Sequence, residues 1–296
     1  MSRKLVSFDW AMKKILRQKA NFGILEGFLT ELLKFNVKIE EILESEANQE
    51  TRDDKFNRVD LLAKNENGEL ILIEVQYNDE IDYFQRILYG TSKLITEYIS
   101  KGKGYTKVKK VYSVNIVYFE IGQGDDYVYY GKTEFIGLHN KDKLIPSDDQ
   151  QERFHINSIS EIYPQYYILR VNQFNDIAKN SLDEWIYFLK NEEIKTNFKA
   201  KGLDKAKEVL RVLKLDETER AKYERREENK RYKESLFYTA EIKGEKRGIK
   251  KGIKKGIEKG KKEEKIDIAK NLLDILDIET ISLKTGLSVN EIKRLK

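Results

Sequence analysis

Glu74 and Gln76 stand two residues apart in the run LILIEVQ, and Asp60 directly precedes the run LLAKN, with Asn67-Gly68 between them. Side chains two apart on a strand point to the same face, so a strand here presents a carboxylate and an amide together. Hydrolysis of a phosphodiester with a divalent cation needs such groups. Two or three acidic oxygens converge on the cation, and a polar side chain orients water or stabilises charge on the phosphate.

Whether Asp60 joins Glu74 depends on the turn. A two-residue turn at Asn67-Gly68 pairs Glu66 with Glu69 and sets Asp60 opposite Val75, on the other face from Glu74. A three-residue loop, Glu66-Asn67-Gly68, pairs Asn65 with Glu69 and brings Asp60 opposite Glu74. Its third position suits a glycine in the left-handed region. Asn-Gly is compatible with both. In the second register Leu62, Leu70 and Leu72 share the face of Asp60, Glu74 and Gln76. Carboxylates at the end of an apolar face are costly unless compensated, and a metal would compensate them. Spacing alone equally admits a strand that merely emerges into water at Glu74.

The elements that would carry these groups follow from hydrophobic periodicity. Residues 9–35 read as helix, with Phe22, Leu25, Phe28, Leu29, Leu32 and Leu33 on one face and Asn21 capping the second segment. Glu26 flanks that stripe and is a candidate supporting acid. Strands are expected over 37–45, 56–64, 69–77, 108–120, 127–138 and 164–172, with a polar loop over 46–55. A helix over 80–101 places Tyr83, Arg86 and Lys93 near one face, and Phe84, Ile87, Leu88 and Leu94 supply its packing. Helices resume near Leu182. The order suits an α/β or α+β domain ending near residue 195.

Composition narrows the chemistry. The 296 residues contain no cysteine and two histidines, His139 and His155, which disfavours thiolate or zinc sites and leaves a hard cation on carboxylates. No stretch is long and apolar enough to span a membrane, and the N-terminus lacks a signal-peptide pattern, so a cytoplasmic protein is expected. The net charge of +5 is unevenly placed. After a charged helical connector (196–240), residues 241–262 carry glycine at 244, 248, 252, 256 and 260, with Ile249, Ile253 and Ile257 in phase. Ten lysines or arginines between Lys243 and Lys262 face two acids there. Lys250, Lys251, Lys254 and Lys255 are candidate phosphate contacts. A small-residue stripe also permits close helix approach, and a solvated spacer fits equally well. Residues 263–296 read as short helices around a glycine turn, with Ser288 as a cap. They suit a helix-turn-helix-like tail or a dimerisation element.

The run DDKFNRVDLLAKNENGELILIEVQ, followed by DYFQRILYGTSKL, resembles the PD-(D/E)XK nuclease family transposases, the recombination-promoting nuclease group. The resemblance covers roughly residues 8–135 and extends in style to the glycine-repeat tail. It implies a restriction-endonuclease-like α/β core, a mixed central sheet flanked by helices, with a helical C-terminal extension on the 1–195 nuclease domain. It also implies Mg2+-dependent DNA cleavage linked to recombination or mobile elements. By position, Asp60 and Glu74 would be metal ligands and Gln76 would replace the motif lysine. Val59 stands where the motif has proline. Glutamine removes a positive charge near the scissile phosphate, which Arg86 or Lys93 would restore. DNA is the implied partner, with self-association through the C-terminal helices. The competing reading is a catalytically weak DNA-binding or interaction protein that retains the fold.

Overall fold

A computed structural model describes residues 5–14, 16–43, 61–98, 104–211 and 215–295. Asp60 and the expected polar loop over 46–55 therefore lie outside the described residues.

Six strands form one sheet in the order β1-β2-β3-β4-β6-β5. They are β1 (Ile39–Leu43), β2 (Leu61–Asn65), β3 (Leu70–Gln76), β4 (Val111–Val117), β5 (Val128–Gly131) and β6 (Gln165–Arg170). The pairs β3–β4 and β4–β6 are parallel and the others antiparallel, so the sheet is mixed. Helix α3 (Tyr83–Tyr98) lies in the crossover between β3 and β4.

The alternation of side chains divides the sheet cleanly. Leu61, Ala63, Ile71, Ile73, Val75, Val114, Ile116 and Leu169 face the main core. That core is filled by α1 (Phe8–Lys14), α2 (Phe22–Leu33), α5 (Ser181–Asn191) and α6 (Leu203–Val209). Its centre is aromatic, with Phe8 and Phe28 at 5.4 Å and Phe28 and Trp185 at 5.5 Å between ring centroids. Residues of the opposite parity face α3. Leu62, Leu70, Leu72 and Val111 pack with Leu94, while Val117 packs with Tyr83, Ile87 and Ile121.

Several boundaries differ from expectation. The helix expected over 9–35 breaks into α1, a short 3-10 turn at Lys19–Asn21 and α2, because exposed Arg17, Gln18 and Lys19 offer the core nothing to bury. Asn21 occupies the cap position of α2 without a side-chain cap bond. The strand expected over 127–138 ends at Gly131, and α4 (Asp148–Phe154) follows later, capped by Ser147 in a capping box with Gln150. Phe84 and Leu88 do not supply packing; they are 51% and 59% exposed, and α3 buries Tyr83, Ile87, Thr91 and Leu94. The apolar core also runs past residue 195, through Leu203, Ala206 and Leu210 to Tyr223.

The close packing of α2 on α6 depends on glycine. A Cβ built on Gly27 would meet the Lys201 carbonyl oxygen at 2.1 Å, and Gly202 adopts φ +87 beside it. Only a residue without a side chain allows that approach.

The chain divides into two compact units, Met1–Tyr223 and Glu224–Lys296. Helix α7 (Glu217–Leu272) is continuous over 56 residues and includes the whole glycine repeat. In the second unit α8 (Ile278–Thr285) and α9 (Val289–Lys293) enclose a small core of Ala269, Ile281, Leu287 and Ile292. Gly286 ends α8 in the left-handed region, and Ser288 caps α9 through a capping box with Glu291.

Candidate active site

The hairpin adopts the three-residue register. Leu61 pairs with Ile73, Leu62 with Leu72, Ala63 with Ile71 and Lys64 with Leu70. Asn65 N–H donates to the Glu69 carbonyl (3.1 Å), and Gly68 N–H returns to Asn65 (2.8 Å) with φ +73 at Gly68. The Asn65 side chain braces the loop by accepting from Glu69 N–H at 2.9 Å. Leu62, Leu70 and Leu72 consequently share the face of Glu74 that looks toward α3. Asp60 itself is outside the described residues.

On that face, two apolar clusters flank a polar gap. Glu74 lies level with Asn115 on the parallel neighbour β4, and Leu72 lies level with Ser113. Ser113, Asn115 and Thr91 are buried polar residues in this layer. The Asn115 amide donates to Ser113 Oγ (3.0 Å) and to the Tyr167 carbonyl (3.3 Å), and the Thr91 hydroxyl donates to the Ile87 carbonyl (2.8 Å). Gly90 brings the α3 backbone close here, since a Cβ on it would stand 4.0 Å from Glu74 Oε1.

Glu74 is 8% exposed, a buried carboxylate that requires compensation. Arg86 supplies part of it, with Nε 3.7 Å from Glu74 Oε2. The same guanidinium donates Nη1 to both oxygens of Glu80, at 2.8 and 2.9 Å. Burial pulls the Arg86 pKa down, but Glu74 and then Glu80 more than offset this and leave it above the ordinary arginine value. Gln76 points to the same mouth, donating its amide to Glu80 Oε1 and to the Asn78 carbonyl. Glu74, Arg86, Gln76 and Glu80 thus form one linked set.

Of the other expected site residues, Lys93 pairs with Glu97 at 3.8 Å, about two helical turns beyond Arg86. Glu26 is not brought to Glu74. It accepts the Ile39 N–H at 2.9 Å and pairs with Lys38 at 3.2 Å. Ile39 pairs with Asn65 beside the hairpin loop, whereas Glu74 is near the other end of β3. The buried Glu26 carboxylate therefore fastens α2 to the start of β1. Lys250, Lys251, Lys254 and Lys255 are exposed on α7. Glu80 was invisible to sequence reasoning. It sits in the irregular link before α3, and only its position before an R-x-L-Y helix marks it.

Among the described residues, no three acidic or histidine side chains converge as a metal cage. The donor chemistry at the mouth is nevertheless all oxygen, from Glu74, Glu80 and the Gln76 amide carbonyl, which suits a hard cation.

A mixed six-stranded sheet flanked by helices, with E-x-Q on an interior strand, defines an α/β fold of the PD-(D/E)XK nuclease type. The model of the PD-(D/E)XK nuclease family transposases matches residues 6–240, and the chain belongs to that family. No curated protein and no solved structure matches it. Among the described residues, no helix is long and apolar enough to cross a membrane.

Proposed function

We propose that the chain is a divalent-metal-dependent endonuclease that hydrolyses phosphodiester bonds of DNA, working in recombination or on mobile elements. One observation carries this reading. Glu74 is buried at the end of an apolar strand face with a guanidinium beside it and the Gln76 amide two residues further out.

Asp60 and Glu74 would hold the cation, with Mg2+ the best match to carboxylate oxygens. When bound, such a cation supplies Lewis acidity and a more acidic water. The remaining roles belong to the chain. Gln76 orients the attacking water or a phosphate oxygen through its amide, although it carries no charge. Arg86 provides the fixed positive charge that the missing motif lysine would have given, in a planar fork suited to phosphate oxygens. Lys93 offers a further contact to the nucleic-acid backbone. Lys250, Lys251, Lys254 and Lys255 hold DNA by charge without reading its sequence, and the C-terminal helices serve self-association.

Nicking of supercoiled plasmid by the purified protein, with and without Mg2+, tests this. Nicking should require the metal and fall by about a hundredfold or more in Asp60→Ala and Glu74→Ala. Unchanged activity in either variant overturns the assignment.

One observation favours a second reading, a DNA-binding protein of the same fold with little catalysis. Gln76 replaces a charged lysine, and its amide is already engaged by Glu80. DNA binding by a protein that never nicks under any divalent metal would establish it.

A further inference from the structure

Glu80 lies between β3 and α3, outside both elements, and the carboxylate it presents meets two groups assigned above to phosphate. Both of its oxygens accept from Arg86 Nη1, and Oε1 also accepts the Gln76 amide. A planar, two-oxygen anion that receives a guanidinium and an amide is chemically close to the two free oxygens of a phosphodiester. We propose that Glu80 is a phosphate placeholder, which keeps Arg86 and Gln76 side by side until a backbone phosphate of DNA takes its place. The inference rests on the nuclease reading for the identity of its ligand.

Three features support exchange over a permanent brace. The first is depth. The side chains are 10% exposed at Glu74, 23% at Arg86 and 28% at Glu80, so Glu80 is the outermost of the three and meets an incoming phosphate first. When it turns into water, Arg86 keeps Glu74 beside it at 3.7 Å. The second is its backbone setting. The link between Gln76 and Tyr83 has no regular structure, and its ties to the helix start run through backbone carbonyls, Glu80 accepting Tyr83 N–H at 3.2 Å and Asp82 accepting Arg86 N–H at 3.0 Å. Rotating the side chain breaks no strand or helix bond.

The third feature is the balance of charge. Glu74, Arg86 and Glu80 carry two negative charges and one positive. A phosphodiester brings a single negative charge, so replacing the Glu80 carboxylate leaves that count unchanged around Arg86. The exchange is then nearly even, and Glu80 acts as a competitor that weakens DNA binding by a modest factor. A brace would have the opposite sign, because its loss would disorder Arg86 and Gln76 and weaken binding.

The test is fluorescence anisotropy with a short labelled DNA duplex, in EDTA so that no cleavage intervenes. The proteins are the full-length wild type, Glu80→Gln, Glu80→Ala, Arg86→Ala and the Glu80→Ala/Arg86→Ala pair. Removing the Glu80 charge should tighten binding by roughly two- to fivefold, the range set by a partly exposed ion pair. Arg86→Ala should weaken binding, and in that background Glu80→Ala should change nothing more. Thermal melting accompanies each variant, and Glu80→Gln retains an acceptor for Gln76 should the alanine fail to fold.

Unchanged or weaker binding in Glu80→Gln overturns the proposal, as does tightening that persists without Arg86. Absence of DNA binding in every protein, or unfolding of both Glu80 variants, also overturns it. Plasmid nicking by the wild type is scored separately. Nicking without a Glu80 effect defeats the placeholder alone. Glu80-dependent binding without nicking under any divalent metal defeats the nuclease reading alone.

Discussion

Glu74 Oε2 and Arg86 Nε stand 3.7 Å apart, beyond hydrogen-bond length but well within ion-pair range, in a layer where the other buried residues of β3, β4 and α3, apolar or neutral polar, carry no charge. The pair is therefore a charge balance more than a clamp. Removing the guanidinium takes away part of what compensates the buried Glu74 carboxylate. Arg86→Ala should destabilise the fold by about 1–3 kcal/mol, with part recovered by adding Glu74→Gln. Urea denaturation of the two variants and of Glu74→Gln alone measures both effects. An Arg86→Ala protein as stable as wild type would show that the pair contributes nothing.

The α2–α6 contact makes a sharper stability prediction. A methyl group at Gly27 has backbone, not a flexible side chain, in its way. Gly27→Ala should cost about 3 kcal/mol, despite alanine being the better helix former. A melting temperature equal to wild type would mean that α6 moves aside freely.

The glycines of α7 should behave in the opposite way. Nothing lies within 4 Å of a Cβ built on Gly244, Gly248, Gly252, Gly256 or Gly260. Each alanine should stabilise the helix by about 0.8–1.0 kcal/mol in isolation, raising helicity by circular dichroism on heating. If DNA approaches along the glycine face, the same alanines should weaken DNA binding while Lys250 to Lys255 remain intact. Unaltered affinity would assign the phosphate contacts to the lysine side chains alone.

The C-terminal unit has a predicted acid limit. The Ser288 backbone N–H, then its hydroxyl, then Lys262 hold the Glu291 carboxyl down to about 2 from an ordinary 4.5. Its folded pKa is depressed, so its contribution is complete above 4.5 and disappears as pH falls toward 2. The Glu291 carboxyl resonance should titrate near 2 by NMR. Glu291→Gln should remove the pH dependence of α9 over that window.

Much of the arrangement around Glu74 was legible in the sequence because it rests on local rules. The two possible hairpin registers could be written down from the sequence, although Asn67-Gly68 is compatible with both, and the pairing of Leu62 with Leu72 selects the three-residue loop, with φ +73 at Gly68. Ser288 was readable for the same reason, since a capping box is a four-residue pattern. What escaped depends on distant partners. Phe84 and Leu88 have the right polarity and spacing for packing, but Val117 at the end of β4 and Ile121 just beyond it pack with Tyr83 and Ile87 instead. Glu26 beside an apolar stripe resembles a site acid until β1 arrives and offers it the Ile39 N–H. Glu80 lies in a polar link, and its meaning exists only once Gln76 and Arg86 converge on it.

The loop at Glu66-Asn67-Gly68 can change length while the pair that flanks it, Asn65 and Glu69, keeps the register. It lies six residues from Glu74, about 20 Å along an extended strand, and touches none of the site. Surface loops ordinarily tolerate insertion and deletion, and here loss of Glu66 would leave Asn67-Gly68 as a two-residue turn between the same Asn65 and Glu69, so Leu62 and Leu72 would still share a face. The mutation that threatens the site without touching its chemical groups is instead a one-residue deletion inside β3, between Leu70 and Ile73. Such a deletion would shift every later residue by one position and turn Glu74 and Gln76 to the opposite face, whereas the same deletion at the hairpin tip would leave them where they are.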